Sequence, residues 1–206
     1  MSTRKRRGVT LVELIVFIVI VGVAMAGLFA AFNTMTASSS DPQVRKQVLA
    51  IAESLMEEVT LMPFTYCDPD DPQAATAQSA IVGANGCTSA AAIENLGPET
   101  TPPYGPESRW SATTPFDNVN DYNAFAMGTE FGMSAGIFDI TDPVTPISGL
   151  NSYSAKITVS QAGMASGADA IPGAEALLIS IEVRGPGGVT RTLEGYRTMY
   201  APRTVP

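Results

Sequence analysis

An uncharged apolar segment near the N-terminus is the strongest pattern in the chain. It covers 19 residues, from Leu14 to Phe32 (LIVFIVIVGVAMAGLFAAF). As an α-helix the segment would be about 28 Å long, which matches the hydrocarbon thickness of a bilayer. We therefore predict a membrane-spanning helix within residues 9–37.

A second hydrophobic pattern predicts an amphipathic helix over residues 38–63. Its apolar positions recur every three or four residues, which places them on one face: Val44, Val48, Ile51, Leu55, Val59 and Met62. We expect this face to pack on a sheet. Asp41 and Pro42 suit an N-cap and a first helical position, so a kink or a break is expected near residues 38–42. Pro63 should end the helix.

Residues 151–206 alternate between apolar and polar positions, as β-strands do. Strands are predicted from Tyr153 to Ser160, Ala176 to Arg184 and Val189 to Tyr200, with a turn at 185–188 that makes the last two an antiparallel hairpin. Residues 64–150 are rich in proline and show no sustained period, so we expect an ordered but irregular region with one or two short elements. The predicted class is α+β, a long helix packed on an antiparallel sheet of three or four strands.

Composition excludes several classes of function. The chain has no His, so His-based catalysis and the usual zinc sites are ruled out. Its 12 Lys and Arg against 20 Asp and Glu argue against nucleic-acid binding. We predict that the chain is not an enzyme and has no cofactor, no catalytic residue and no metal ligand.

The basic residues at positions 4–7 directly precede the apolar segment. The positive-inside rule then places the N-terminus in the cytoplasm and the C-terminal body across the membrane. A secretory signal with a cleavage site among Ala24, Ala26, Ala30 and Ala31, or a plain membrane anchor, would share these features. Gly8 and the lone carboxylate of Glu13 argue against both, because a carboxylate at the start of an apolar helix is costly in lipid.

Residues 8–13 (GVTLVE) resemble the type IV prepilin motif. The basic leader, the glycine, the glutamate spacing and the apolar helix occur together in the family's order. The resemblance implies that prepilin peptidase removes residues 1–8 by cutting between Gly8 and Val9, and that Val9 is then N-methylated. The family most often has Phe after the cut, whereas this chain has Val9. The resemblance also implies the pilin fold: a helical stem followed by an antiparallel sheet.

Glu13 would be the fifth residue of the processed chain and is the predicted assembly residue. In a filament of packed apolar helices a buried lone carboxylate would cost several kcal/mol or would protonate. The N-terminal amine of a neighbouring subunit is a natural counter-charge. The alternative is an interfacial residue whose carboxylate lies near the lipid headgroups.

The two cysteines, Cys67 and Cys87, are both expected outside the cytoplasm. In an oxidising periplasm such a pair predicts a disulfide that closes a loop of about twenty residues. Asp68, Asp70 and Asp71 follow Cys67 and could be calcium ligands, but Pro69 and Pro72 interrupt them, and turn formation explains them as well.

Three further segments are similar to a narrower group, the minor pilins of MSHA (mannose-sensitive haemagglutinin) pili and minor pilin D in particular. They are residues 50–59 (AIAESLMEEV), 116–122 (FDNVNDY) and 193–197 (LEGYR). Segments like the first also occur in minor pseudopilins of type II secretion. FDNVNDY could equally be a turn that anchors Phe116 and Tyr122 in the core.

The resulting hypothesis is a minor pilin that takes part in pilus assembly or priming and in attachment. Its implied partners are other pilin subunits, prepilin peptidase and the inner-membrane assembly platform. Its implied location is the inner membrane, as a single-pass protein with a periplasmic C-terminal domain, and then the pilus. Two alternatives stay open: a type II secretion pseudopilin, and a membrane-anchored periplasmic module that binds a ligand with residues 64–149.

Overall fold

A computed structural model describes residues 10–164 and 171–199 of the chain. It divides the chain into two compact units, residues 1–43 and 44–206. One helix, α1, runs from Leu11 to Leu61 with Pro42 inside it. The helix is continuous through this position, so of the two expected alternatives, a kink or a break, the structure has no break, and the kink near residues 38–42 stays a prediction.

In the first unit, α1 contains one segment that is long and apolar enough to cross a membrane. It spans Leu11–Asn33, and its apolar window buries no residue inside the chain. Large side chains are largely exposed along its whole length, among them Phe17 at 64%, Val23 at 70% and Phe29 at 67%. This surface is suited to lipid or to other apolar helices, and not to water.

The second unit contains a four-stranded antiparallel sheet in the order β1-β4-β5-β6. Its strands are β1 (Ala126–Met127), β4 (Ser154–Gln161), β5 (Ala176–Gly185) and β6 (Val189–Thr198). A separate hairpin joins β2 (Phe138–Asp139) to β3 (Asp142–Pro146). The three predicted strands are confirmed as β4, β5 and β6. The predicted end of the last strand, Tyr200, lies outside the described residues.

The core of the second unit lies between α1 and the sheet. The predicted apolar face is confirmed: Val48, Ile51, Leu55 and Val59 are buried, and Val44 and Met62 pack against them partly buried. The sheet contributes Ala155, Ile157 and Val159 from β4 and Leu177, Ile179, Ile181 and Val183 from β5. Alternation along each strand puts these side chains on one face, where they meet the helix.

The region between the helix and β4 is irregular and ordered, as predicted, but its described residues contain six short elements where one or two were expected. Its described elements are three short 3-10 helices (Ala90–Ala92, Val119–Tyr122 and Thr129–Phe131) and the short strands β1, β2 and β3. Aromatic rings fill the space between these turns in tilted and edge-to-face contacts: Trp110, Phe116, Tyr122, Phe125 and Phe138. Packing of these rings, and not a regular backbone ladder, holds this region together.

Candidate functional site

The start of α1 is the part of the predicted assembly site that the structure describes. Thr10 Oγ1 accepts a hydrogen bond from the Glu13 backbone N–H at 3.3 Å, and Thr10 O accepts one from Leu14 N–H at 3.1 Å. Thr10 therefore caps the helix, and Glu13 lies exposed in its first turn. Gly8 and Val9 lie outside the described residues, so the predicted cleavage and methylation stay predictions.

The segment Thr10-Leu11-Val12-Glu13 also fits a helix-start pattern that sequence analysis did not use. Threonine followed three residues later by glutamate is a capping-box sequence. A carboxylate in the first turn is further favoured by the positive end of the helix dipole. Glu13 thus has a local structural role in the single chain, whereas its predicted pairing with a neighbouring subunit stays a prediction.

A buried ion pair ties the helix to the irregular region of the second unit. Arg109 Nε and Nη2 donate to Glu58 Oε1 and Oε2 at 2.6 and 2.7 Å, and Tyr122 Oη donates to Glu58 Oε1 at 2.9 Å. Arg109 Nη1 also donates to the Phe138 carbonyl at 3.1 Å. Burial, followed by the neighbouring Glu58 carboxylate, raises the pKa of Tyr122. No local sequence pattern relates Glu58 to Arg109, which is 51 residues further along the chain.

The FDNVNDY segment is built around a capped 3-10 turn. Asn118 Oδ1 accepts from Asn120 N–H, and Asp121 Oδ2 accepts from the N–H groups of Asp117 and Asn118 at 2.9 and 2.7 Å. Asn118 Nδ2 reaches Thr65 Oγ1 at 2.9 Å. The segment therefore packs against the chain just after α1. The hydroxyl of its Tyr122 is the third donor to the Glu58 carboxylate, beside the two Arg109 nitrogens. Two of the three segments quoted for the MSHA-like group meet at this point.

The third segment, LEGYR, lies in β6 and contacts the same helix. A Cβ on Gly195 would lie 3.2 Å from Met56 Sδ, so glycine lets the strand backbone approach the helix closely. Arg197 Nη2 donates to the Met62 carbonyl at 3.4 Å, beside the C-terminal end of α1. All three segments thus share one packing role around the helix.

The structure joins Cys67 and Cys87 in a disulfide with an S–S distance of 2.09 Å. Both cysteines are fully buried, and Cys67 pairs with Ile93 in an isolated antiparallel bridge. Asp71 is used inside this loop, since its carboxylate accepts from Thr88 N–H, Thr88 Oγ1 and Gln73 N–H. The turn interpretation therefore fits Asp71.

Asp68 also forms a local turn, since its Oδ1 accepts from Asp70 N–H at 2.7 Å. Asp68 and Asp70 belong in addition to a cluster of acidic side chains in the second unit. Three triads place one carboxylate oxygen per residue within 4.8 Å of the other two: Asp68-Glu94-Glu99, Asp68-Asp70-Asp117 and Glu99-Glu107-Asp121. The first two share Asp68, and the first and third share Glu99. We call these seven residues the carboxylate cluster. They come from four separate stretches of the irregular region, so no sequence motif could have identified them.

Several oxygens of the cluster have no hydrogen-bond partner. Among the described residues, six buried side-chain polar atoms are unpartnered, and five of them are oxygens: Glu94 Oε1 and Oε2, Glu99 Oε2, Asn120 Oδ1 and Asp121 Oδ1. Glu94 is 8% exposed and Asp121 is fully buried. Glu94 and Asn120 also line one cavity. Such a concentration of unpaired buried acceptors is unusual in a folded protein.

Burial and mutual repulsion shift the acidities of the cluster upward. Burial, with the charges of Asp121, Glu99 and Glu107, raises the pKa of Glu94 to about 11. Burial, followed by the charge of Asp121 and a hydrogen bond to Glu99, raises the pKa of Glu107 to about 10. Burial also raises the pKa of Asp117 to about 7 and that of Asp121 to about 6, the latter despite its two backbone donors. The cluster therefore resists carrying its full negative charge without a positive partner.

A second concave surface of the same unit is an apolar groove of about 660 Å³ beside α1. Side chains of the helix and of the β2–β3 hairpin line it, including Ile51, Leu55, Phe138 and Ile140. Its charged lining includes Glu58 and Arg109, which already bind each other. The groove gives little support to the ligand-binding alternative.

A family model described as the prokaryotic N-terminal methylation motif matches residues 3–29. Comparison with curated proteins and with solved structures gives no match. The motif supports a type IV pilin or pseudopilin-like subunit, a structural class of protein. It also implies processing by prepilin peptidase and assembly with other pilins, and the apolar helix at its position fits the membrane anchor of such a subunit.

Proposed function

We propose that this chain is a minor pilin of an MSHA-like type IV pilus, used in pilus assembly or priming and in attachment. The observation that carries the proposal is the methylation motif at residues 3–29, followed by the unburied apolar segment Leu11–Asn33. Prepilin peptidase cuts between Gly8 and Val9, and Val9 is methylated. The subunit waits in the inner membrane with residues 44–206 in the periplasm, and the assembly platform then moves it into the filament.

The carboxylate of Glu13 is the residue that directs assembly in this proposal. Within a bundle of apolar helices it needs a positive partner, and the methylated amine of a neighbouring Val9 supplies one. Its exposure at the start of α1 leaves the carboxylate available to another subunit. The hydrogen bond from Glu13 N–H to Thr10 uses only the backbone, so the side chain is not consumed by the cap.

The choice of an MSHA-like pilus rests on the joint presence of the three quoted segments in one sequence. In the fold these segments pack together: Glu58 of AIAESLMEEV accepts a hydrogen bond from Tyr122 of FDNVNDY, and Gly195 of LEGYR lies against Met56 of the same helix.

Replacing Glu13 with Gln tests the proposal in cells. The variant keeps the leader, the apolar segment and the Thr10 cap, so it should insert and be cleaved normally. Without the carboxylate its recovery in sheared pili should fall at least tenfold, while the inner-membrane pool rises. Fractionation and immunoblotting measure both, and mass spectrometry of the mature protein should show N-methylated Val9.

Glu53→Gln is the matched control, because it removes a carboxylate from an exposed position of the same helix. This variant should enter pili like the wild type. Equal recovery of the Glu13 and Glu53 variants would contradict the assembly role. Intact pili together with a loss of exoprotein secretion on gene deletion would instead identify a type II secretion pseudopilin, and a mature N-terminus beyond residue 24 would identify an ordinary secreted protein.

A further inference from the structure

We propose that the carboxylate cluster is a calcium site, in which Glu99 is the ligand shared by the triads Asp68-Glu94-Glu99 and Glu99-Glu107-Asp121. Calcium is held by six to eight oxygen ligands at about 2.4 Å, so two ligands on opposite sides of one ion lie about 4.8 Å apart. The oxygens of each triad lie within 4.8 Å of one another and thus meet this limit. The proposal goes beyond assembly and concerns how the periplasmic unit is held together.

The unpartnered oxygens of Glu94 point to a ligand. Both are buried and neither has a hydrogen-bond partner. The backbone fixes this residue in place, since Glu94 N–H donates to the Tyr66 carbonyl at 3.0 Å and the preceding Ile93 bridges to Cys67. Protonation would remove the charge of Glu94 but would leave its other buried oxygen without a donor. A cation satisfies the charge and both oxygens together.

No basic side chain of this region can take that role. Between residues 64 and 150 the sequence contains 11 acidic residues, and Arg109 is its single Lys or Arg. The guanidinium of Arg109 is engaged by Glu58 and by the Phe138 carbonyl. A side chain from another subunit could not reach oxygens that are enclosed by their own chain. A small ion that enters as the loops close is the remaining source of positive charge.

The donor set selects the kind of ion. All candidate ligands are carboxylate or amide oxygens, the chain has no His, and both cysteines are in the disulfide. Hard oxygen donors favour calcium or magnesium over zinc and copper. Magnesium keeps several waters and requires a compact octahedron at about 2.1 Å, whereas a crowded, buried group of carboxylates suits the larger and more flexible shell of calcium.

Bound calcium would reinforce loops that backbone hydrogen bonds already join, such as the bond from Gly97 N–H to the Asn120 carbonyl at 2.9 Å. The cluster joins the disulfide loop at Asp68 to the stretch from Glu94 to Glu107 and to the FDNVNDY turn at Asp121. Glu99 and Glu107 already approach each other through a Glu107 N–H bond to the Glu99 carbonyl at 2.9 Å. Gly105 permits this, since a Cβ there would lie 2.2 Å from the same carbonyl oxygen. Gly105 therefore lets the loop from Glu99 to Glu107 close tightly beside the cluster.

The test is calcium titration of the full chain, purified in non-ionic detergent and stripped of metal. Calorimetry should show binding with a Kd on the order of 10⁻⁴ to 10⁻³ M, as in extracellular calcium modules, and magnesium should bind at least tenfold more weakly. At about 10 mM calcium the midpoint of thermal unfolding should rise by about 5 °C. Glu94→Gln and Glu107→Gln should each weaken calcium binding at least tenfold.

The exposed Glu57→Gln is the matched control and should bind calcium like the wild type. In metal-free buffer Glu94→Gln should unfold at a higher temperature than the wild type, because the buried wild-type carboxyl must take up a proton on folding and glutamine does not. A higher unfolding temperature would show that the variant is folded, so that its weaker calcium binding reflects the lost ligand and not a damaged fold. Absence of calcium binding by the wild type, or calcium binding by Glu94→Gln and Glu107→Gln equal to that of Glu57→Gln, would overturn the proposal. The binding assay is independent of pilus assembly, so its outcome does not depend on the proposed function.

Discussion

Arg109 is the only cation between residues 64 and 150, and the fold uses it inside the core. Its guanidinium lies 5.5 Å from the ring centre of Trp110 and 5.6 Å from that of Phe125, while two of its nitrogens bind Glu58. The planar fork of arginine serves both contacts at once, which a lysine ammonium cannot do. The residue thus connects the helix to the aromatic cluster.

Replacing Arg109 with Lys should lower the free energy of unfolding by about 3 kcal/mol, because Glu58 loses its paired hydrogen bonds in a buried site. Urea unfolding of the full chain in detergent, followed by circular dichroism, measures the loss. Arg184→Lys is the control, since Arg184 and Glu182 form a partly exposed pair and its loss should cost less than about 1 kcal/mol. Similar losses in the two variants would contradict this role for Arg109.

The disulfide loop is the element most dependent on a covalent link. Cys67 and Cys87 close a loop with a sequence separation of 20 residues and almost no regular structure. Changing both to Ser should lower the free energy of unfolding by about 3 kcal/mol through the entropy of the unfolded chain. Chemical unfolding measures the change, and non-reducing peptide mapping checks the bond. Two free thiols in protein taken from the periplasmic side would remove the basis of this prediction.

Elements with a repeating pattern could be predicted from sequence, and those without one could not. β4, β5 and β6 each have eight to ten residues, and β4 and β5 alternate between buried and more exposed positions, so the period of two could be recognised in the sequence. The elements from residue 64 to 146 have two to five residues, too few for any period to appear. α1 is continuous through Pro42, where the sequence predicted a kink or a break.

Sites formed by side chains that lie far apart in the sequence could not be predicted either. Glu58 and Arg109 are 51 residues apart, and the carboxylate cluster collects groups from residue 68 to residue 121. Only the tertiary path of the irregular loops brings them together. The prepilin motif could be recognised because its residues are contiguous and their order alone defines it.

Charge is unevenly distributed along the whole molecule. Four of the 12 cations lie at residues 4–7, whereas 14 acidic residues lie between Pro63 and Val183 with Arg109 and Lys156 as the only cations. Within the carboxylate cluster this excess of negative charge is buried, so the native state takes up protons that the unfolded chain does not. The stability of the molecule should therefore depend on pH.

Stability in metal-free buffer should fall as pH rises from 5 to 8. Native pKa values of about 11 for Glu94, about 10 for Glu107 and about 7 for Asp117 exceed the unfolded values of about 4, so the native state binds more protons in this range. Hydrogen bonds lower the pKa of Asp139 and Asp142. These two groups make stability rise with pH, but only below about pH 4. Thermal unfolding at several pH values measures the slope, which Glu94→Gln should reduce. A rise in stability from pH 5 to 8 would contradict the prediction.

The last strand of the sheet, β6, leaves one backbone edge open to pairing with another copy of the chain. Among the described strands, β6 pairs with β5 alone, so the other side of its ten-residue backbone is an open edge. Copies tethered in one membrane reach high local concentrations, and an open edge is then a template for aggregation between sheets. Arg191, Glu194 and Arg197 break up the apolar content of this strand. Charged side chains on an open edge lower its tendency to pair with the sheet of another copy.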